Sequence, residues 1–316
     1  MLYSHYLTWL VLPVQWFYLL LEKKKNKKAI FAFSLSHSLT LSLYLPWLAV
    51  FTQQIQGGGK VELGSNWGRV LGGFSFKNLA LLPVKFIIGR TSFNNQFFYF
   101  IVALALVLFF GFLVCRAMQK IFFPARLEDS EPGSESFLVF AWLGGPVLLG
   151  WLISLRIPLF SYFRFLFCLP AFYLLVSRGI FSFKKAGKLG LLALLVLLVN
   201  LFFSGKYLFN SNFHRENWRS AVKALHQQNV KAAPVLITEA VKAPFDFYDE
   251  NKSKLVPVKQ KETLSNQETV WLIPYAQPIF DPQDRTRAFL RSKGFIRTYE
   301  KHFRGVTLEK WQKPFG

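Results

Sequence analysis

Arg164, in the run Tyr162-Phe163-Arg164-Phe165, combines residue type and setting in the way most suggestive of chemistry. It falls inside an apolar stretch read as a membrane span over 157–176, where a guanidinium is costly unless it meets an anion or a wet cavity. Counted from the start of that span, it lies roughly 10 Å from the outer helix end, at about 1.5 Å per residue. Two readings are open: snorkelling to the headgroups, or a bidentate clamp on a lipid-linked phosphate. His5, in Ser4-His5-Tyr6, opens the first apolar run and shares that outer level. An interfacial hydrogen bond and a part in binding or proton transfer are both compatible with it.

Carboxylates limit what these groups can do. Before Gly205 the chain has only Glu22, Glu62, Glu128, Asp129, Glu131 and Glu135, and of these Glu62 alone is expected outside. A paired general acid and base is therefore not expected there, and no catalytic residue is assigned. In the tail, Asp246, Asp249, Glu250, Asp281 and Asp284 match no metal loop and read as solvated surface, so no metal site is expected. Cys115 and Cys168 read as buried free thiols. P-loop, GxGxxG, paired-cysteine and HExxH patterns are absent, which argues against ATPases, dehydrogenases and zinc hydrolases, and no cofactor is identified. Gly57-Gly58-Gly59-Lys60 lacks the spaced second glycine and the following Ser or Thr of a phosphate loop.

The elements that must position these residues follow from composition. The 316 residues are 52% hydrophobic but only 17% charged, with a net charge of +21. Apolar spans mixed with a basic remainder explain that combination better than one soluble globule. About six spans are read, at 2–21, 29–51, 97–115, 137–155, 157–176 and 187–203, making residues 1–205 a multi-pass α-helical membrane domain. The Lys-rich loop at 22–28, with Arg116, Lys120 and Arg126, and then Arg178, Lys184, Lys185 and Lys188, sets these loops inside and the N-terminus outside. The outer loop 52–96 holds an apolar half-helix at 79–89, containing Pro83 and Lys85 and read as interfacial or re-entrant.

Residues 206–316 read as a small α/β domain outside the cytoplasm. Helices are expected at 217–228 and 284–293, strands at 234–237 and 270–275, and a hairpin over 295–311 that turns at Arg304-Gly305. Lysines dispersed in this way suggest a lipid-phosphate surface, with no nucleic acid as a partner. Met1 opens almost inside a span, which reads as an internal membrane helix and so as the C-terminal portion of a larger membrane protein.

Three stretches resemble a known family. Leu2 to Gln15, with Ser4-His5-Tyr6, is similar to a late membrane segment of the GT-C glycosyltransferases that use polyprenyl-phosphate sugars. Ile157-Pro158 through Arg164-Phe165 to Leu169-Pro170-Ala171 and Leu174-Leu175 resembles the family's Arg-aromatic helix. Asn217-Trp218-Arg219-Ser220-Ala221 resembles the Trp-Arg helix that opens the extracytoplasmic tail. The nearest branch contains protein O-mannosyltransferases and aminoarabinose transferases, and the resemblance is to the C-terminal half.

The resemblance implies inverting transfer of a sugar from a polyprenyl-phosphate donor at the plasma (inner) membrane to an extracytoplasmic acceptor. Arg164 would steady the leaving phosphate, His5 would line the same cavity, and the 52–96 loop would cover it. The family's catalytic carboxylate lies in a first outer loop that has no counterpart here. A separate N-terminal membrane subunit is therefore an expected partner. The alternative is a non-catalytic membrane subunit whose tail binds a partner or the cell envelope, with a transporter as the third reading.

Overall fold

The computed structural model describes residues 6–21, 27–53, 72–122, 133–229, 232–250 and 252–314. They divide into a helical unit ending at Phe209 and an α/β unit beginning at Asn210.

The first unit runs from a 3₁₀ turn, Tyr6–Leu10, into α1 (Val11–Leu21). Helix α2 (Lys27–Tyr44) then passes through a 3₁₀ turn at Leu45–Trp47 into a helical stretch at 48–53. Next come α3 (Phe76–Ile88), α4 (Gln96–Phe122) and α5 (Gly133–Ile153). A 3₁₀ segment, Tyr162–Cys168, leads into α6 (Leu169–Phe181), and α7 (Ala186–Phe209) ends the unit. The core gathers Leu82 and Ile88 of α3, Phe110 and Leu113 of α4, and Phe165, Phe172 and Val176 around α6. Helices α4 and α6 approach backbone to backbone at Gly179, where any Cβ would strike the Leu113 carbonyl.

Three helices among the described residues are long and apolar enough to cross a membrane, rather than the six expected. They are Gln96–Gln119, Tyr162–Phe181 and Ala186–Phe209. The described parts of the other three do not combine that length and apolarity. The first run is a short apolar helix, Tyr6–Leu20, whose flanks at 1–5 and 22–26 lie outside the described residues. The second is helical but rich in hydroxyls, several of which bond back to their own helix: Ser34 to Ile30, Thr40 to Ser36 and Ser42 to Ser38. The fourth is apolar over Phe137–Ile153 only. It stops where the Ser154 N–H closes on the Gly150 and Trp151 carbonyls, ahead of Pro158.

The half-helix read at 79–89 is present as α3, with 13 residues. At about 1.5 Å per residue it reaches roughly 20 Å, against about 30 Å of hydrocarbon. Within the protein α3 buries Leu82, Val84, Phe86, Ile87 and Ile88. Cys168 is buried as expected, but Cys115 is exposed on α4.

The second unit alternates helix and strand: α8 (Trp218–Gln228), β1 (Val235–Ile237), α9 (Lys242–Tyr248), β2 (Leu255–Pro257) and β3 (Thr269–Ile273). Then follow α10 (Gln277–Phe280), α11 (Arg285–Ser292), β4 (Ile296–Phe303) and β5 (Val306–Gln312). The sheet order is β2-β1-β3-β5-β4, parallel across β2, β1 and β3 and antiparallel through β5 and β4.

Strand alternation divides the core into two layers. Val235, Ile237, Trp271 and Ile273 point toward α8 and α9, while Leu236, Val270 and Leu272 point toward Leu290 of α11 and Trp311. The hairpin turns at Arg304-Gly305, with Gly305 at φ 70°.

Candidate functional site

Arg164 does not sit deep in a helix. Pro158 biases its predecessor away from helical backbone, and Ser161 is extended at φ −129°, so helix begins only at Tyr162. Pro170 has no N–H to offer the Leu166 carbonyl, and that carbonyl instead takes the Leu169 N–H in a 3₁₀ bond. Arg164 therefore lies in the first turn of the segment rather than seven residues into a span.

Its side chain is half-buried. Nη1 donates to the Leu159 carbonyl at 3.2 Å, and the guanidinium carbon lies 5.9 Å from the Phe163 ring centroid. No ion pair of Arg164 is present among the described residues.

A second cation stands beside the same segment. Lys85, half-buried on α3, holds its Nζ 5.8 Å from the Tyr162 ring centroid and 5.7 Å from that of Tyr99. Arg90, just past the Gly89 turn that ends α3, is exposed and within electrostatic reach of Lys85. Lys206 of α7 donates to the Ser92 carbonyl at 2.8 Å and lies over the Phe93 ring. The described side chains of the helical unit include no carboxylate. Arg164 and Lys85, set among aromatic rings with no carboxylate among the described side chains of the unit, are suited to a bound anion, above all phosphate.

Comparison of the chain with family models, curated proteins and solved structures finds no match.

Of the other residues singled out from sequence, His5 and Glu62 lie outside the described residues, as does Gly57-Gly58-Gly59-Lys60. Gln15 joins α1 to α2, its Oε1 3.1 Å from His37 Nε2, while His37 Nδ1 meets the Phe33 carbonyl at 3.0 Å. Sequence alone marks Lys85 only as a lysine inside an eleven-residue apolar run too short to span, and not as a site residue.

In the α/β unit the tail acids are not simply solvated. Asp249 is buried; it meets His226 Nε2 at 2.6 Å and accepts from the Ser253 N–H and hydroxyl at 2.7 and 3.0 Å. Ser, His and Asp are all present, yet the serine hydroxyl bonds to the aspartate and not to the histidine. No base faces a nucleophile, so the trio ties α8 to the loop after α9. Asp281 accepts from the Arg285 and Thr286 amides at 2.8 Å each. Burial alone would raise its pKa, but those bonds and the Lys261 charge bring it below the ordinary value.

Arg287 is paired with fully buried Glu309 at 2.5 Å and with Asp284 at 3.2 Å. Tyr275 donates to Glu216 Oε1 at 3.2 Å, and burial, followed by the Glu216 charge, raises its phenol. Among the described residues no His/Cys/Asp/Glu group could hold a metal.

Proposed function

We propose that the chain is a membrane glycosyltransferase of the polyprenyl-phosphate-sugar type, or the C-terminal part of one. The carrying observation is that Arg164 lies on the Tyr162–Cys168 segment and Lys85 meets its Tyr162 ring, in a helical unit whose described side chains offer these cations no carboxylate. The resemblance of the Arg164 helix and the Trp218 helix to the GT-C family supports the same reading.

In this proposal six segments enter an inner (plasma) membrane, α3 is re-entrant, and the α/β unit lies outside the cytoplasm. An acceptor hydroxyl attacks the anomeric carbon, the bond from that carbon to the phosphate oxygen breaks, and polyprenyl phosphate leaves. Negative charge grows on that oxygen as the bond lengthens. Arg164 stabilises it through bidentate donation and Lys85 through its point charge. The acceptor proton passes to a carboxylate outside the described residues, on this chain or on a separate N-terminal membrane subunit. His5 is placed in the same cavity by the resemblance alone.

The test is binding of polyprenyl phosphate to the full chain in lipid nanodiscs, read by native mass spectrometry. Arg164→Ala and Lys85→Ala are each expected to weaken binding about tenfold or more, since a charge-assisted bond contributes about 1.5–3 kcal/mol. Wild-type binding by both variants would remove the phosphate site.

A second reading, a non-catalytic membrane subunit whose tail binds a partner, is favoured by the open aromatic recess in the α/β unit. Purification as a stable complex with a separate membrane protein would favour it. Sugar transfer by the isolated chain would refute it.

A further inference from the structure

The α/β unit carries a recess that the phosphate site does not use. In the order β2-β1-β3, the chain moves from β1 to one side and then crosses to the other for β3. The crevice at such a reversal opens beyond the carboxyl ends of the strands. Ala240 and Val241, after β1, and Tyr275, after β3, line a cavity of about 480 Å³ at that place. That volume falls in the range of small-ligand sites, about 300–1,000 Å³.

The walls of the cavity define the ligand chemistry. Tyr275, Tyr248, Phe280 and Phe247 present ring surface, and Phe247 is 79% exposed at the rim. The charged groups are Arg215 and Glu216, adjacent and opposite in sign. An anion drawn by Arg215 meets Glu216, and a cation drawn by Glu216 meets Arg215, so neither net charge is well served. A neutral polyol uses both: Arg215 donates, and Glu216 accepts through Oε2 while Tyr275 occupies Oε1. A pyranose ring adds C–H faces that lie flat on aromatic rings.

The site is also held in place before any ligand arrives. Arg304 Nε donates to the Arg215 carbonyl at 2.7 Å, and the Asn217 N–H donates to the Arg304 carbonyl at 2.8 Å. At Gly305, φ is 70° and a Cβ would lie 2.7 Å from Glu216 Cγ, so glycine permits the hairpin tip to pack against the acid. Ala276, next to Tyr275, holds the left-handed φ of 45°, which is strained for a residue with a side chain.

We propose that this recess binds a neutral carbohydrate, one pyranose unit of a saccharide lying across Phe247 and Tyr275 with its hydroxyls between Arg215 and Glu216. The inference goes beyond the proposed transfer and stands on the α/β unit alone.

The experiment uses the full chain in nanodiscs, which avoids sugar-based detergents, with saturation-transfer NMR against methyl α-mannoside, methyl β-glucoside, methyl β-galactoside and chitobiose at millimolar concentration. At least one probe should receive saturation on its ring C–H protons. Glu216→Gln should weaken that binding about tenfold or more, as expected for loss of one charge-assisted bond, and Phe247→Ala about twofold to tenfold, as expected for loss of one aromatic contact. Phe247 is exposed, so its replacement leaves the fold intact and keeps the test decisive. Saturation of none of the probes, binding unchanged in both variants, or occupation of the recess by a proline-rich peptide in place of every sugar would each overturn the proposal. The probes carry neither phosphate nor lipid, so their failure leaves the polyprenyl-phosphate reading to its own test.

Discussion

The two units treat buried charge in opposite ways. In the α/β unit Arg287 is closed by Glu309 and Asp284, and Asp249 by His226 and Ser253. In the helical unit Arg164 meets a backbone carbonyl, and Lys85 meets the rings of Tyr99 and Tyr162. A buried charge matched inside the protein stabilises the fold, and its loss strands a partner. A half-buried cation without a carboxylate contributes little to the fold and remains available to a ligand. Charge removal should therefore cost stability in one unit and binding in the other.

The sharpest way to break this contrast is Glu309→Ala. Glu309 is fully buried, accepts from Arg287, and takes the Trp311 Nε1 hydrogen bond at 2.9 Å. Its loss leaves the Arg287 guanidinium without its main partner and should destabilise the α/β unit by about 3–5 kcal/mol. Hydrogen exchange of β3, β4 and β5 in the full chain would report it; unaltered protection there would break the contrast. Asp249→Ala should act in the same direction but less, by about 1–3 kcal/mol, because it leaves one imidazole and one serine unsatisfied. Exchange of the α8 amides checks it.

Acid provides a milder test. The Asp281 pKa is lowered in the folded chain from an ordinary value of 3.8. Its contribution is therefore full above that value and is lost as pH falls through the lower folded pKa. The N-terminal amides of α11 should lose protection as pH is taken below 3.8, and Asp281→Asn should abolish that dependence. The smallest effect is expected where the charge is unmatched: Arg164→Ala should change the thermal stability of the helical unit by no more than about 0.5 kcal/mol.

Much of the α/β unit is legible in the sequence because its signals are local. Gly294 stops α11 at φ 80°, and Arg304-Gly305 turns the hairpin. Strand β2 and helix α9 were missed, since three and seven residues are too short for a period to show. The His226–Asp249 contact joins residues 23 positions apart, and no spacing rule connects them.

The helical unit was legible in composition. The hydroxyls of α2 make that run more polar than a count of apolar residues suggests, and the turn at Ser154 ends α5 just short of the expected bound. Pro158 and Pro170 each carry a boundary signal, and together they move Arg164 to a helix start. Lys85 was visible as a misfit residue, but its place beside Tyr162 depends on α3 being buried, which only the fold reveals.

The most direct measurement pairs two readouts on one variant: polyprenyl-phosphate binding and thermal unfolding of Arg164→Ala in nanodiscs. The account predicts binding weakened about tenfold or more with the unfolding temperature unchanged. Unchanged binding with a clear drop in unfolding temperature would contradict it, making Arg164 a structural cation like Arg287.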